Sequence, residues 1–141
     1  MNRNGVGILV DKTVKDDVVK IKRIGDRIIM LKLVLGNKFI YVINAYTPKI
    51  GLDVETKVKI WEDIDDLVCR IGNEDIIFIG GDFNRHVGKD KENFERIHGS
   101  FGFGARNEEG KRILKFALGH DFIITNTFFK KRDSHLITLK N

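Results

Sequence analysis

The sequence predicts a mixed α/β domain in which helices cover a sheet. Three observations lead there. Apolar runs alternate with turn residues between positions 18 and 46, in a strand–turn–strand series. From Val54 to Ile71, apolar residues recur at three- and four-residue steps. From Ile76 onward, strand-like and helix-like stretches follow one another. The 141 residues suffice for one domain with a real core. A hydrophobic content of 42% with 32% charged residues excludes a disordered chain.

Gly5-Val6-Gly7-Ile8-Leu9-Val10 reads as a short strand. Val18 to Ile24 alternates, with Val19 and Ile21 on one face and Lys20 and Lys22 on the other. Gly25-Asp26 is a hairpin signal. Arg27 to Leu35 is the next strand, Gly36-Asn37 the next turn, and Lys38 to Tyr46 a nearly continuous apolar strand. This serial order predicts an antiparallel meander. Pro48 and Gly51 mark a loop, after which Asp53 can cap a helix. Val54, Val58, Trp61, Ile64, Val68 and Ile71 form one apolar helix face, and Gly72-Asn73 stops it.

Ile76-Ile77-Phe78-Ile79 has the length and β-branched content of a buried strand. Residues 85–107 are glycine-rich, charged and aromatic, which predicts a long surface loop of the kind that is functional or mobile. Glu108 and Glu109 suit a helix N-terminus. Ile113, Leu114, Phe116, Ala117 and Leu118 supply its apolar part, and Gly119 ends it. Phe122 to Thr125 and His135 to Leu139 read as further strands. There is no internal repeat or low-complexity tract.

The net charge of +5 and pI of about 9.4 favour anionic partners such as nucleic acid, modestly. They suit an ordinary basic domain equally well. Cys69 is the single cysteine, so neither an intrachain disulfide nor a multi-cysteine zinc site can form. A reducing, intracellular compartment follows by default. Cys69 falls within the helical apolar pattern, as a packed thiol would. Lys32 interrupts the longest apolar stretch below membrane-spanning length, and the first residues are no signal peptide. Both ends cut into patterned sequence, which predicts a piece of a longer domain.

Chemistry concentrates at Gly81-Asp82-Phe83-Asn84. Gly80 and Gly81 let the backbone turn or approach a ligand closely. On an extended backbone, Asp82 and Asn84 point to the same side, toward a shared water, metal ion or phosphate oxygen. An ionised aspartate beside so apolar a strand end needs a partner to offset its desolvation. A second segment, Asn44-Ala45-Tyr46-Thr47-Pro48, sits where a strand ends and a loop begins, the usual place for sites. Asn44 and Tyr46 share a face there, although a strand-end tyrosine by itself is usually a packing residue. Carboxylate plus amide oxygen suits a hard ion such as Mg²⁺, or Mn²⁺ in its place. His86, His98 and His135 are expected in loops or at strand ends. His120 follows a helix end, where the dipole favours a charged imidazole. Arg85, Lys89, Lys91 and the Lys130-Lys131-Arg132 cluster are candidate phosphate contacts, or simply solvated charges. Phe101 and Phe103, interleaved with glycines, can stack on a base or pack in their loop.

These segments in order resemble the endonuclease/exonuclease/phosphatase superfamily, the metal-dependent phosphodiesterases related to deoxyribonuclease I. The match runs through Asn44-Ala45-Tyr46-Thr47-Pro48 and Ile77-Phe78-Ile79-Gly80-Gly81-Asp82-Phe83-Asn84. It continues through Gly102 to Gly110, and ends in Ile123 to Phe129 and His135-Leu136-Ile137-Thr138. The whole string is similar to the endonuclease domain of LINE-type retrotransposons, and most like the craniofacial development protein 2-like group. The resemblance implies that residues 1–141 are the central part of an α/β (α+β) domain with two packed β-sheets flanked by helices. It implies catalytic roles for Tyr46, Asp82 and Asn84: Asp82 on the attacking water, Asn84 on phosphate and metal, Tyr46 on a phosphate oxygen. Asp82 and Asn84 would hold Mg²⁺, and Asn126 and Thr138 match recurrent positions near the site. DNA is the implied partner of the parent domain, and the nucleus a compartment that suits it.

In that family an asparagine-and-glutamate segment precedes the strand at 5–10, and a Ser-Asp-His segment follows beyond Asn141. The chain alone is therefore expected to be inactive or nearly so, since such a set acts together. Two alternatives stand beside the truncated endonuclease. One is an inactive retroelement remnant with at most weak nucleic-acid binding. The other is a phosphodiesterase acting on a small phosphate ester or RNA.

Overall fold

The structure, a computed structural model, describes residues 5–48 and 53–132. The chain divides into two compact units, Met1–Asn84 and Arg85–Asn141.

The first unit is built on a four-stranded sheet in the order β1-β2-β3-β4. β1 (Val18–Ile24), β2 (Ile28–Leu35) and β3 (Lys38–Tyr46) form the expected antiparallel meander through the turns at Gly25-Asp26 and Gly36-Asn37. A bulge between Val18 and Lys20 shifts the register at the start of β1. The helix α1 (Val54–Cys69) then returns the chain to lay β4 (Ile76–Asp82) parallel to β3, because a parallel neighbour requires a crossover. Asp53 caps α1 by accepting the Thr56 N–H at 2.5 Å.

Pairing sets the faces, since residues directly opposite one another share a side of the sheet. Ile28, Met30, Ile43 and Ala45 lie on one side and are buried. With the α1 stripe of Ile60, Ile64, Leu67 and Val68, they make the apolar core of this unit. On the other side, Ile21, Leu31, Val42 and Phe78 form one continuous row across all four strands. Leu31 is buried at the centre of that row, while its two ends are open: Ile21 is 65% exposed and Phe78 60%.

Several expectations are corrected here. Gly5 to Val10 forms no strand. Its carbonyls are claimed by side chains: Arg23 Nη2 donates to Val6 O at 3.1 Å and Asn44 Nδ2 to Gly7 O at 2.7 Å. The apolar run Ile76–Ile79 is not buried throughout. Ile76 and Phe78 are exposed, because β4 is an edge strand among the described residues and only its other face meets the core. β4 also continues through both glycines to Asp82 rather than turning at them. Cys69 is exposed at the end of α1, off the stripe that Ile60, Ile64 and Leu67 bury. Val54 is exposed as well, one turn ahead of that stripe.

Among its described residues, the second unit holds the long loop 85–107, α2 (Glu108–Gly119) and a 3₁₀ turn at Thr125–Phe128. Asn107 caps α2, its Oδ1 accepting the Gly110 N–H at 2.7 Å. Ile97, Leu114 and Ala117 form the core, with Val87, Phe94, Phe122 and Ile124 packed against it. Leu118 faces out. The expected strand Phe122 to Thr125 does not form. The Phe122 N–H goes to Ala117 O at 2.8 Å and the Ile124 N–H to Ile97 O at 2.9 Å, so the donors of a ladder are already spent. The proposed strand His135 to Leu139 lies outside the described residues.

The loop is an ordered structure built around a buried histidine. His98 is 1% exposed. Its Nδ1 accepts the Ser100 N–H at 3.0 Å, which leaves Nε2 protonated to donate to Gly88 O at 3.1 Å. Burial holds its pKa below the ordinary histidine value, opposed by the Gly88 hydrogen bond and Asp90 and assisted by Arg106. Among the described residues, no helix is long and apolar enough to cross a membrane.

Two predictions follow from this packing. At Gly81, φ is +141° and an added Cβ would lie 1.8 Å from Ala45 O, whereas at Gly80 it would meet nothing. Gly81→Ala should lose about 2–4 kcal/mol in urea unfolding and Gly80→Ala less than about 1; equal losses would contradict the close approach. His98 binds a proton more weakly folded than unfolded. Its contribution to stability should be intact above the unfolded pKa near 6.5 and decline as pH falls toward the lower folded value. Thermal melts from pH 7.5 to 5 should show that decline, and His98→Gln should flatten it.

Candidate functional site

The sites singled out in sequence meet at the tips of β3 and β4. Tyr46 is registered directly opposite Asp82, so both side chains leave the same side of the sheet. The parallel ladder runs one step further, with the Thr47 N–H on Asp82 O at 2.9 Å. Thr47, 1% exposed, then becomes the knot of the site. Its hydroxyl donates to Phe83 O, and its carbonyl accepts from Asn84 Nδ2 at 2.7 Å. The Phe83 ring stacks on Trp61 of α1, centroids 5.7 Å apart. The strand tip is thereby anchored to its neighbouring strand and to the helix.

The relation between Asp82 and Asn84 differs from the expectation. Asn84 has φ +49°, in the left-handed region, so the backbone between them is not extended and strand alternation does not apply. Instead Asp82 Oδ1 accepts the Asn84 N–H at 2.9 Å. This is a tight aspartate turn of a kind that tolerates an asparagine in that conformation. The turn sets the Asp82 carboxylate on the Asn84 backbone, while the Asn84 amide is held on Thr47 O. Asp82 is also exposed; water solvates its charge, and no desolvation demand arises.

One residue of this cluster went unnoticed in the sequence. Arg27 pairs with Tyr46 at the mouth of the β1–β2 hairpin, its carbonyl accepting the Tyr46 N–H at 2.9 Å. Its guanidinium carbon lies 5.4 Å from the centre of the Tyr46 ring, within cation–π range. The side chain is 16% exposed, with Nε 3.9 Å from Asp26. Its Nη1 is buried and without a hydrogen-bond partner among the described residues. A signal for it existed: two turns centred on 25–26 and 36–37 fix the strand register, and counting it places position 27 beside position 46. The last row of the sheet thus reads Arg27, Tyr46, Asp82.

Other candidates fall elsewhere. Asn44 shares the Tyr46 face as expected, but its amide is committed to Gly7 O. Arg85 is not a surface cation: its side chain is 1% exposed and pairs with Glu109 at 3.4 Å. His86 is exposed in the second unit, where its carbonyl accepts the Asn107 N–H at 3.2 Å. Asn126 is exposed in the 3₁₀ turn, and Thr138 lies outside the described residues. His120 sits at the end of α2 as predicted, its ring 4.6 Å from that of Phe116.

This is a mixed α/β chain with an acid, an amide, a phenol and a guanidinium at one end of a sheet. It is similar to craniofacial development protein 2 of Bos taurus, with 32% identity over 139 residues. It is also similar to craniofacial development protein 2 of Tragulus javanicus, with 31% identity over 139 residues. Each alignment takes in 98% of the chain but only 23% or 24% of the relative. The chain therefore spans about a quarter of the length of the curated relatives it matches. No family model matches it.

The Arg27–Tyr46 contact is testable apart from any activity. A double-mutant cycle with Arg27→Met and Tyr46→Leu should give a coupling of about 0.5–2 kcal/mol in unfolding free energy. Additivity within about 0.3 kcal/mol would show that the stack is absent in solution.

Proposed function

We propose that this chain is part of a metal-dependent phosphodiesterase of retroelement origin, acting on DNA, with Tyr46, Asp82 and Asn84 in its active site. The observation that carries this reading is the direct registration of Tyr46 with Asp82, together with the turn that sets Asn84 against the same strand tip. Three oxygen- and nitrogen-bearing side chains from two segments thus lie at one end of the sheet. A packing role would not call for an exposed carboxylate held between two hydrogen-bonded strand ends.

The donor set fits a hard cation. Asp82 offers carboxylate oxygens and Asn84 an amide oxygen, the ligand types that Mg²⁺ or Mn²⁺ prefers. Bound there, the ion would supply Lewis acidity to a phosphate oxygen and a more acidic water. The chain's own residues do the rest. Asp82 orients the attacking water and takes its proton as general base. The Tyr46 hydroxyl donates a hydrogen bond to a non-bridging phosphate oxygen as negative charge develops on it. Arg27 adds a fixed positive charge behind that phenol, and Asn84 holds the phosphate through its amide. No general acid for the leaving oxygen belongs to this set, so the segment by itself should cleave at or near the background rate.

The finer architecture we assign is a two-sheet sandwich. The row Ile21, Leu31, Val42 and Phe78 supports it: an apolar face with exposed ends is the surface a second sheet would bury.

In a Mg²⁺-dependent plasmid-nicking assay of the full-length protein, Asp82→Ala should reduce the rate by at least about a hundredfold, and Tyr46→Phe by a smaller factor of about ten. Wild-type nicking by Asp82→Ala, with folding verified by circular dichroism, would refute the assignment.

A further inference from the structure

The second unit exposes four phenylalanines, carried on two segments that its hydrogen bonds tie together. Phe101 and Phe103 project from the glycine loop, each 44% exposed. Phe128, 41% exposed, ends the 3₁₀ turn, and Phe129, 59% exposed, follows it. Buried Thr127 stitches the two segments: its carbonyl accepts the Phe101 N–H at 2.9 Å, and its Oγ1 accepts the Gly99 N–H at 2.9 Å. Phe128 lies directly against Gly99, where an added Cβ would come within 2.8 Å of its ring. Lys130, Lys131 and Arg132, all exposed, follow Phe129 directly in the chain.

The loop is pre-shaped. His98 holds Ser100 and Gly88 with its two ring nitrogens. Gly102 rests so close to Gly88 that a Cβ would lie 1.8 Å from its carbonyl oxygen. The Lys89 N–H closes the loop on Gly104 O at 3.2 Å. Rigid, exposed aromatics bind at a low ordering cost.

Charge indicates the occupant. Residues 85–141 hold twelve Lys and Arg against seven Asp and Glu, while residues 1–84 hold thirteen of each. The whole +5 of the chain therefore resides in the second unit. Exposed phenyl faces followed at once by a run of cations match unstacked bases on a phosphate backbone. A duplex hides those base faces, and an apolar protein partner would have no use for the charge.

We propose that this aromatic and basic surface of the second unit binds single-stranded nucleic acid, Phe101 and Phe103 stacking on bases and Lys130-Lys131-Arg132 pairing with phosphates. The assignment goes beyond the phosphodiesterase reading and does not require it.

Fluorescence anisotropy with a labelled twelve-nucleotide oligothymidylate, in excess EDTA, tests it on the full chain. The single strand should bind more tightly than a duplex of equal length. Phe101→Ala with Phe103→Ala should weaken binding about 10- to 100-fold at an unchanged salt slope, while Tyr at both positions retains it. Lys130→Gln with Lys131→Gln should lower the slope of log affinity against log salt by about 1.4. Asp82→Ala should bind as wild type even if it no longer nicks, which separates this result from the fate of the catalytic reading. Undiminished binding by the Phe pair variant, with its fold verified by a thermal melt, would overturn the proposal. So would a sedimentation result in which that pair variant dissociates a dimer and the oligonucleotide does not bind.

Discussion

The close approach of β3 and β4 at their tips is the constraint on which the first unit depends. Ala45 and Gly81 face each other across a parallel ladder so tightly that no side chain fits at position 81. The backbone of β4 can therefore stay in register up to Asp82, and the ladder can add the Thr47–Asp82 bond beyond it. Without that step, Tyr46 and Asp82 would not be neighbours. Thr47 then converts two strand ends into a single rigid corner, since its hydroxyl and carbonyl tie down Phe83 and Asn84. Thr47, buried with its hydroxyl, carbonyl and N–H all engaged, makes such a corner specific as well as stable.

This corner unites groups of different chemical kinds. The carboxylate stays in water, where its charge carries no desolvation penalty. The tyrosine is half-buried under a guanidinium. The amide is oriented by a backbone carbonyl. In the proposed phosphodiesterase, a water-activating base needs access to solvent, and a hydrogen-bond donor to phosphate needs a fixed direction. The surroundings of Asp82 and Tyr46 suit these two needs separately. Similarity to craniofacial development protein 2 covers nearly all of the chain, so both the corner and the second unit fall within the aligned region.

The second unit solves a different problem, folding a glycine-rich segment with one helix and little regular structure. A small apolar core supplies part of the answer. His98 and Thr127, both buried and fully engaged with backbone groups, supply the rest. Each satisfies donors and acceptors that a strand ladder would otherwise have taken. Order in this loop comes largely from side-chain hydrogen bonds, and that leaves Phe101 and Phe103 to face outward.

The meander, both helices and the Asp53 cap were legible in the residues alone, because local turn chemistry and hydrophobic period act over a few positions. Asp53 and the turns at 25–26 and 36–37 are examples. The sequence also determined that position 82 carries an acid at a strand end and that position 46 carries a phenol at another. Which face Ile76 and Phe78 would show was not legible, since an apolar run reads the same whether one side or both are covered. The fate of Gly5 to Val10 and of Phe122 to Thr125 was likewise decided by distant competitors: Asn44, Arg23, Ala117 and Ile97 took the hydrogen bonds that strands would have needed. The register that sets Tyr46 against Asp82, and the tie of Asn84 to Thr47, are decisions of the tertiary structure. Both depend on pairing between segments far apart in the chain, and only the folded sheet brings those segments within a hydrogen bond's reach.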